Sequence, residues 1–248
     1  MAGLILDKLS EDVSGRVRPF FEELLGSHSN NVHSIHITGS SLTGDFDPKA
    51  SDTNSVVVLR EMDLGFLKTL APMGKKYRKK KVAAPLIMTP GYIENSLDVF
   101  PVEFLNIRLI HQTVFGDDVF ASIELSTDDL RHQCERELKV KLIGLRQGYI
   151  SSMGDVAMIT EGLAQSITGY IPLFRALLVL LGKEPPVLNA DVLKALDEAT
   201  GFDCGIFHKL LEEKKHKHKP GIGELNVIFE EYYQATERLG KVVNDIKA

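Results

Sequence analysis

The chain has 248 residues, enough for one large domain or two smaller ones, each with its own core. Its composition, 44% hydrophobic and 25% charged, excludes a disordered or fibrous chain, and a formal net charge of −5 argues against a general electrostatic binder of nucleic acid. Two distant cysteines, Cys134 and Cys204, fit buried thiols in a reduced compartment rather than a metal cluster. The start, MAGLILDKLSEDV, lacks a basic region followed by a long apolar run, so no signal peptide is expected. The longest apolar stretch, Ile171–Leu181, is interrupted by Arg175 and is too short to span a bilayer, which places the protein in the cytoplasm with no membrane partner.

In chain order, residues 6–26 read as a helix, with Val13, Val17, Phe20, Phe21, Leu24 and Leu25 at helical spacing and Gly26 as a stop. His33–Thr38 alternates as a strand and ends in the tight turn Gly39–Ser40–Ser41. Ser51–Asp52–Thr53–Asn54 leads into a second strand, Ser55–Leu59. A short helix over 63–71 is expected to break at Pro72 and Gly74, leaving the basic run Lys75–Lys81 as a solvated loop. Residues 85–89 and 97–107 read as two further strands. Beyond residue 125 the pattern is helical. Ser126 with Asp129 is a capping start, Leu130, Cys134, Leu138, Leu142 and Leu145 form an apolar stripe, and Glu135–Lys139 and Glu137–Lys141 are i,i+4 pairs. Helices are expected over 152–181, 189–200, 205–215 and 223–247, with breaks at Gly182–Pro186 and Pro220–Gly221. The fold class is therefore α+β: a mixed sheet with flanking helices over residues 1–122, then an all-α helical bundle over 123–248.

The chemistry-bearing segment runs from Gly39 to Asn54. A glycine at a strand end allows a sharp turn. A following helix N-terminus offers free N–H groups, to which Ser40 and Ser41 add hydroxyls, and together these make a cradle for phosphate. Side chains 52 and 54 share one face of the next strand. Two oxygen donors so placed suit a hard divalent cation.

This arrangement resembles the signature of the nucleotidyltransferase superfamily, which writes Gly-Ser, a spacer, then Asp-x-Asp at a strand. The superfamily includes the kanamycin-type and the minimal nucleotidyltransferases. The resemblance implies transfer of a nucleoside monophosphate from an NTP, with ATP favoured, to a hydroxyl acceptor. It also implies Mg²⁺, a third carboxylate on a later strand, and a helical half that completes the acceptor pocket. Glu103 best matches the third acid, and Asp98 is the runner-up. Asp52 and Glu103 are then the catalytic candidates, Asp52, Asn54 and Glu103 the metal ligands, and Gly39, Ser40 and Ser41 the nucleotide contacts. One residue departs from the pattern: Asn54 stands where the family has aspartate, so any Mg²⁺ is held by one charge less. The alternative implied by Asn54 is a binding or regulatory module with weakened or no catalysis, acting as a homodimer or with a partner protein.

Other polar residues have simpler readings. Asp45 and Asp47 are loop acids. Lys214–Lys219, with His216 and His218, reads as a surface loop, since neighbouring ammonium groups repel metal cations. His33 and His36 lie on the first strand without an evident carboxylate partner, one of them facing the core. Tyr149, Tyr232 and Tyr233 are candidates for an acceptor pocket but fit helix packing better.

Overall fold

The computed structural model describes residues 3–215 and 220–246. His216 and His218 of the second basic run lie outside the described residues. The chain forms two compact units. The first takes the residues up to Leu97 together with Phe104–Glu124, and the second takes Asp98–Glu103 with the residues from Leu125 onward.

The first unit is α+β. Helix α1, Glu11–His28, starts where the Ser10 hydroxyl accepts the Val13 N–H, with Glu11 and Asp12 at its positive end. It begins later than the periodicity suggests, because residues 4–6 are not helical: Ile5 N–H donates to the Val114 carbonyl at 2.8 Å. The sheet contains β1 (Val32–Thr38), β2 (Asn54–Leu59), β3 (Leu86–Met88) and β4 (His111–Gly116), in the order β3-β2-β1-β4. Strand β1 is antiparallel to β2 and β4, and β2 is parallel to β3. Ile35, Ile37, Val57 and Leu59 join Phe20, Phe21 and Leu24 of α1 in one apolar cluster. The alternate residues of β1, namely Ser34, His36 and Thr38, therefore face the other side of the sheet. Strand β4 ends at Gly116, whose φ of +71° and position leave no room for a side chain: a Cβ would lie 2.0 Å from the His33 carbonyl oxygen.

Two elements differ from the sequence reading. The helix after β2 does not stop at Pro72. Helix α2 runs Leu64–Arg78 with Pro72 inside it and Lys75, Lys76 and Arg78 in its last turn, where the macrodipole favours cations. The decisive residue is Tyr77, which is buried in the first-unit core, with its hydroxyl 2.9 Å from the Pro19 carbonyl and 2.6 Å from Glu23 Oε2. Lys76 pairs with the same Glu23 at 2.6 Å. Burial of one aromatic ring in the basic run, with these polar contacts, outweighs the local cost of the proline. The second correction is residues 97–107, which are not a strand. A short helix α3 (Pro90–Glu94) and a turn lead into helix α4, Pro101–Leu109. Pro101 supplies the fixed φ and missing N–H that suit a helix start, and Val102, Phe104 and Leu105 are buried.

The second unit is helical: α5 (Thr127–Ser151), α6 (Val156–Ser166), α7 (Tyr170–Leu180), α8 (Asn189–Thr200), α9 (Gly205–Lys215) and α10 (Ile222–Asp245). Ser126 caps α5 through the Asp129 N–H, and Leu130, Cys134, Leu138 and Leu145 are buried as the stripe requires. Lys139 pairs with Glu135, whereas Lys141 places its ammonium 4.4 Å from the centre of the Tyr170 ring. The helix expected over 152–181 is two helices. Met153 and Gly154 adopt positive φ before α6, and Ile167–Gly169 form a short turn before α7. Tyr170, Phe174, Phe207 and Tyr232 pack ring against ring at 5.0–5.6 Å, the smallest separation being Phe174–Phe207 and the largest Tyr170–Phe174. Arg175, buried in the apolar α7, donates to the carbonyls of Pro186 (3.1 Å) and Val187 (2.6 Å) and so holds the loop into α8. Among the described residues no single helix is long and apolar enough to cross a membrane.

Candidate nucleotide site

Strand β1 delivers the chain to Gly39, whose φ is +77°. This left-handed value is open to glycine and strained for other residues. Gly39–Leu42 forms one 3₁₀ turn, not the first turn of an α-helix, so macrodipole support for phosphate is small there. Gly39 N–H already donates to the Ile110 carbonyl at 3.2 Å. What the turn presents is hydroxyl chemistry. Ser40 is half-buried, and Ser41 is buried with its Oγ unpartnered among the described residues. A buried hydroxyl without a partner costs about 1–3 kcal/mol.

The sheet register brings the two halves of the motif together. Thr38 pairs with Asn54, and the Asn54 Nδ2 lies 3.8 Å from the position a Gly39 Cβ would take. Asp52 and Asn54 are exposed while Thr53 between them is fully buried, the alternation expected of an extended segment. Thr53 is held by its N–H to the Lys81 carbonyl at 2.7 Å and its carbonyl to Ala83 N–H at 3.0 Å. The loop that leads to Asp52 is tied down by Arg16 of α1. Its guanidinium donates to the carbonyls of Pro48 (2.7 Å) and Ser51 (3.3 Å), pairs with Asp12 (2.8 Å) and lies over the Phe46 ring. Asp45 and Asp47 are exposed, and Asp47 accepts the Lys49 N–H.

Neither candidate for the third carboxylate lies on a strand. β3 reads LIM and β4 reads HQTVFG, with no acid in either. Glu103 lies instead in the first turn of α4, within the second unit, and Asp98 is exposed in the turn before that helix. Glu103 is nevertheless an oriented group. Gln133 of α5, only 5% exposed, accepts the Val102 N–H on Oε1 (2.8 Å) and donates from Nε2 to Glu103 Oε2 (2.7 Å).

A second polar cluster occupies the face of β1 away from α1. His36 is fully buried, with Nε2 2.8 Å from Ser34 Oγ and Nδ1 2.9 Å from Thr113 Oγ1. Burial, and then the neighbouring His111, push its pKa down to about 4. His111 pairs with Thr38 in the register, so Asn54, Thr38 and His111 stand in one row across three strands. Its Nε2 lies 2.8 Å from Asp118 Oδ1. Burial alone would raise the Asp118 pKa, but the bond from His111 and the N–H groups of Phe120 and Ala121 bring it below the usual carboxylate value. His33 makes a looser approach to Asp117 at 3.9 Å.

In the second unit an open cavity of about 590 Å³ lies among α5, α6 and α10, lined in part by Lys141, Tyr149, Met158, Glu161 and Phe229. Tyr149 stacks on Phe229 at 4.4 Å. Tyr232 is buried and accepts from Ser166 Oγ, so it packs the core rather than lining that cavity.

No protein-family model and no curated protein matches the chain. Among solved structures it is similar to spectinomycin adenyltransferase AAD(9) from Enterococcus faecialis, crystallised with ATP and spectinomycin. The TM-score is 0.54 with 12% identity, over 92% of this chain and 99% of that one. The likeness extends over both units, and the chain has a nucleotidyltransferase-like fold with a helical region.

Proposed function

We propose that this protein is a nucleotidyltransferase that moves a nucleoside monophosphate from ATP to a hydroxyl group of an acceptor. The observation that carries the reading is the Gly39 turn set against Asn54 by the Thr38–Asn54 pair, on a fold shared with an ATP-using adenyltransferase. The half-buried Ser40 hydroxyl and the backbone of the Gly39–Ser41 turn would contact the phosphates. Asp52 and Asn54, exposed on one face, fit a weakly held Mg²⁺, with one carboxylate and one amide oxygen as donors. Bound there, the cation would supply charge neutralisation on the phosphates. The acceptor oxygen would bond to the α-phosphorus as the bond to the β-phosphate breaks and pyrophosphate leaves. Asp52, the exposed carboxylate of the same segment, would take the acceptor proton. Calorimetry with a non-hydrolysable ATP analogue and Mg²⁺ tests the reading, and absence of nucleotide binding would sink it.

A second reading has its own observation. Asn54 removes one carboxylate, and β3 and β4 offer none in its place. On that basis the fold serves as a nucleotide-binding or regulatory module. Asn54→Asp separates the two readings: nucleotidylated product from the variant alone would make the missing charge the limiting defect.

A further inference from the structure

The cluster on the face of β1 away from α1, a face the register shares with Asn54, carries an inference that does not rest on the nucleotide reading. His36, His111 and Asp118 come from β1, from β4 and from the segment after β4, and each offers a ligand atom within 4.8 Å of the others. The outer partners fix each group. His111 Nδ1 lies 2.9 Å from the Ile107 carbonyl and 3.2 Å from the Arg108 carbonyl. Carbonyls only accept, so Nδ1 carries the proton, and in the neutral ring Nε2 presents a lone pair. That lone pair faces Asp118 Oδ1 at 2.8 Å. Two acceptors rest at this distance only with a cation between or beside them, either a proton or a metal ion. Asp118 Oδ1 is itself steadied by the N–H groups of Phe120 (3.1 Å) and Ala121 (3.2 Å). The His36 ring is held by two hydroxyls, which can donate or accept, so either nitrogen can carry the lone pair that a metal would take over from its hydroxyl. Phe120, fully buried, packs on both imidazoles at 4.8 and 5.7 Å.

A proton shared by His111 and Asp118 would need no second imidazole. Imidazoles aligned by carbonyl or hydroxyl partners around a carboxylate are what a transition-metal site requires. We propose that His36, His111 and Asp118 bind one divalent ion of the zinc type, separate from the Asp52–Asn54 site. Two nitrogens and one carboxylate oxygen select such an ion over Mg²⁺. Tetrahedral ligands at zinc distances stand about 3.4 Å apart, so modest side-chain rotation forms the site. Asp118, 41% exposed at its side chain, opens the fourth position and the route of entry.

The test uses the full chain stripped with chelator and titrated with Zn²⁺ alone, or with Co²⁺ read by its visible absorption. One equivalent per chain is expected. Asp118→Asn and His111→Gln should each lower affinity on the order of 100-fold, with the circular dichroism spectrum unchanged. Asp118→Asn keeps an oxygen for the Phe120 and Ala121 N–H groups, so it reads the site even where His111→Gln fails to fold. The double variant His216→Ala/His218→Ala should bind as the parent does. Absence of stoichiometric binding would leave His111 and Asp118 as an ion pair and overturn the proposal. So would binding that survives Asp118→Asn but is lost with His216 and His218.

Discussion

Replacing Gln133 by Glu tests how Glu103 is positioned, because the change swaps one atom at the end of a buried side chain. The Oε1 that accepts the Val102 N–H is kept. The Nε2 that donates to Glu103 Oε2 across 2.7 Å becomes an oxygen. Two carboxylate charges at that separation repel by about 6 kcal/mol at an effective dielectric of 20 and about 1.5 kcal/mol at 80. Gln133 is buried and Glu103 exposed, so a destabilisation of roughly 2–4 kcal/mol at pH 8 is expected between those limits. At lower pH the pair can share a proton. A carboxyl whose folded-state pKa is raised stabilises the fold below that pKa and loses the contribution as pH rises through it. Urea unfolding of Gln133→Glu should therefore lie closer to the parent at pH 5 than at pH 8. Gln133→Leu, which loses both bonds and adds no charge, should show a loss independent of pH. Equal offsets for Gln133→Glu at both pH values would refute the contact between Gln133 and Glu103.

Gly39→Ala has room for its Cβ, 3.8 Å from Asn54, so its cost is backbone strain of about 1–2 kcal/mol, measurable by urea unfolding, with nucleotide affinity falling at least tenfold by calorimetry. Arg16→Ala frees the Pro48 and Ser51 carbonyls; faster hydrogen exchange over residues 46–53 is expected, with little change in the α1 amides. Arg175→Met strands the Pro186 and Val187 carbonyls and should cost about 3 kcal/mol or more, seen as a lowered thermal midpoint. Burial, followed by the charges of Glu137 and Glu103, pushes the Cys134 thiol up to about 12, and burial also raises Cys204. Both should resist thiol reagents at pH 8 in the native protein and react promptly in denaturant, as a thiol-counting assay would show.

The legible parts of the fold were those where a local rule and burial agree. β1 and β2 alternate or run apolar, and Ser126 caps α5 through a bond to a residue three positions away. Gly39 and Asn54 were linked in the sequence only by the family resemblance, and it is the β1–β2 register that sets them side by side. Residues 97–107 misled because Val99, Val102 and Phe104 suit strand and helix alike, and Pro101 opens a helix. In α2 the proline and glycine predicted a break, and only the long-range burial of Tyr77 against α1 shows why the helix continues. Arg16 and Gln133 could not be found in advance. Each acts on backbone about thirty residues distant, as Arg16 does on Pro48 and Gln133 on Val102, and no spacing rule connects such pairs. His36, His111 and Asp118 are likewise joined only by the pairing of β1 with β4.

Helix α4 has a consequence for how the protein can be divided. Pro101–Glu103 of this helix belong to one compact unit and its remainder to the other, so the polypeptide passes between the units three times. A fragment beginning at residue 123 would keep Gln133 but lose Val102, leaving a buried amide oxygen without its donor. Its complement, ending at residue 122, would carry Val102, otherwise 3% exposed, into water. Neither half is expected to be well behaved alone, while the two mixed together should recover solubility.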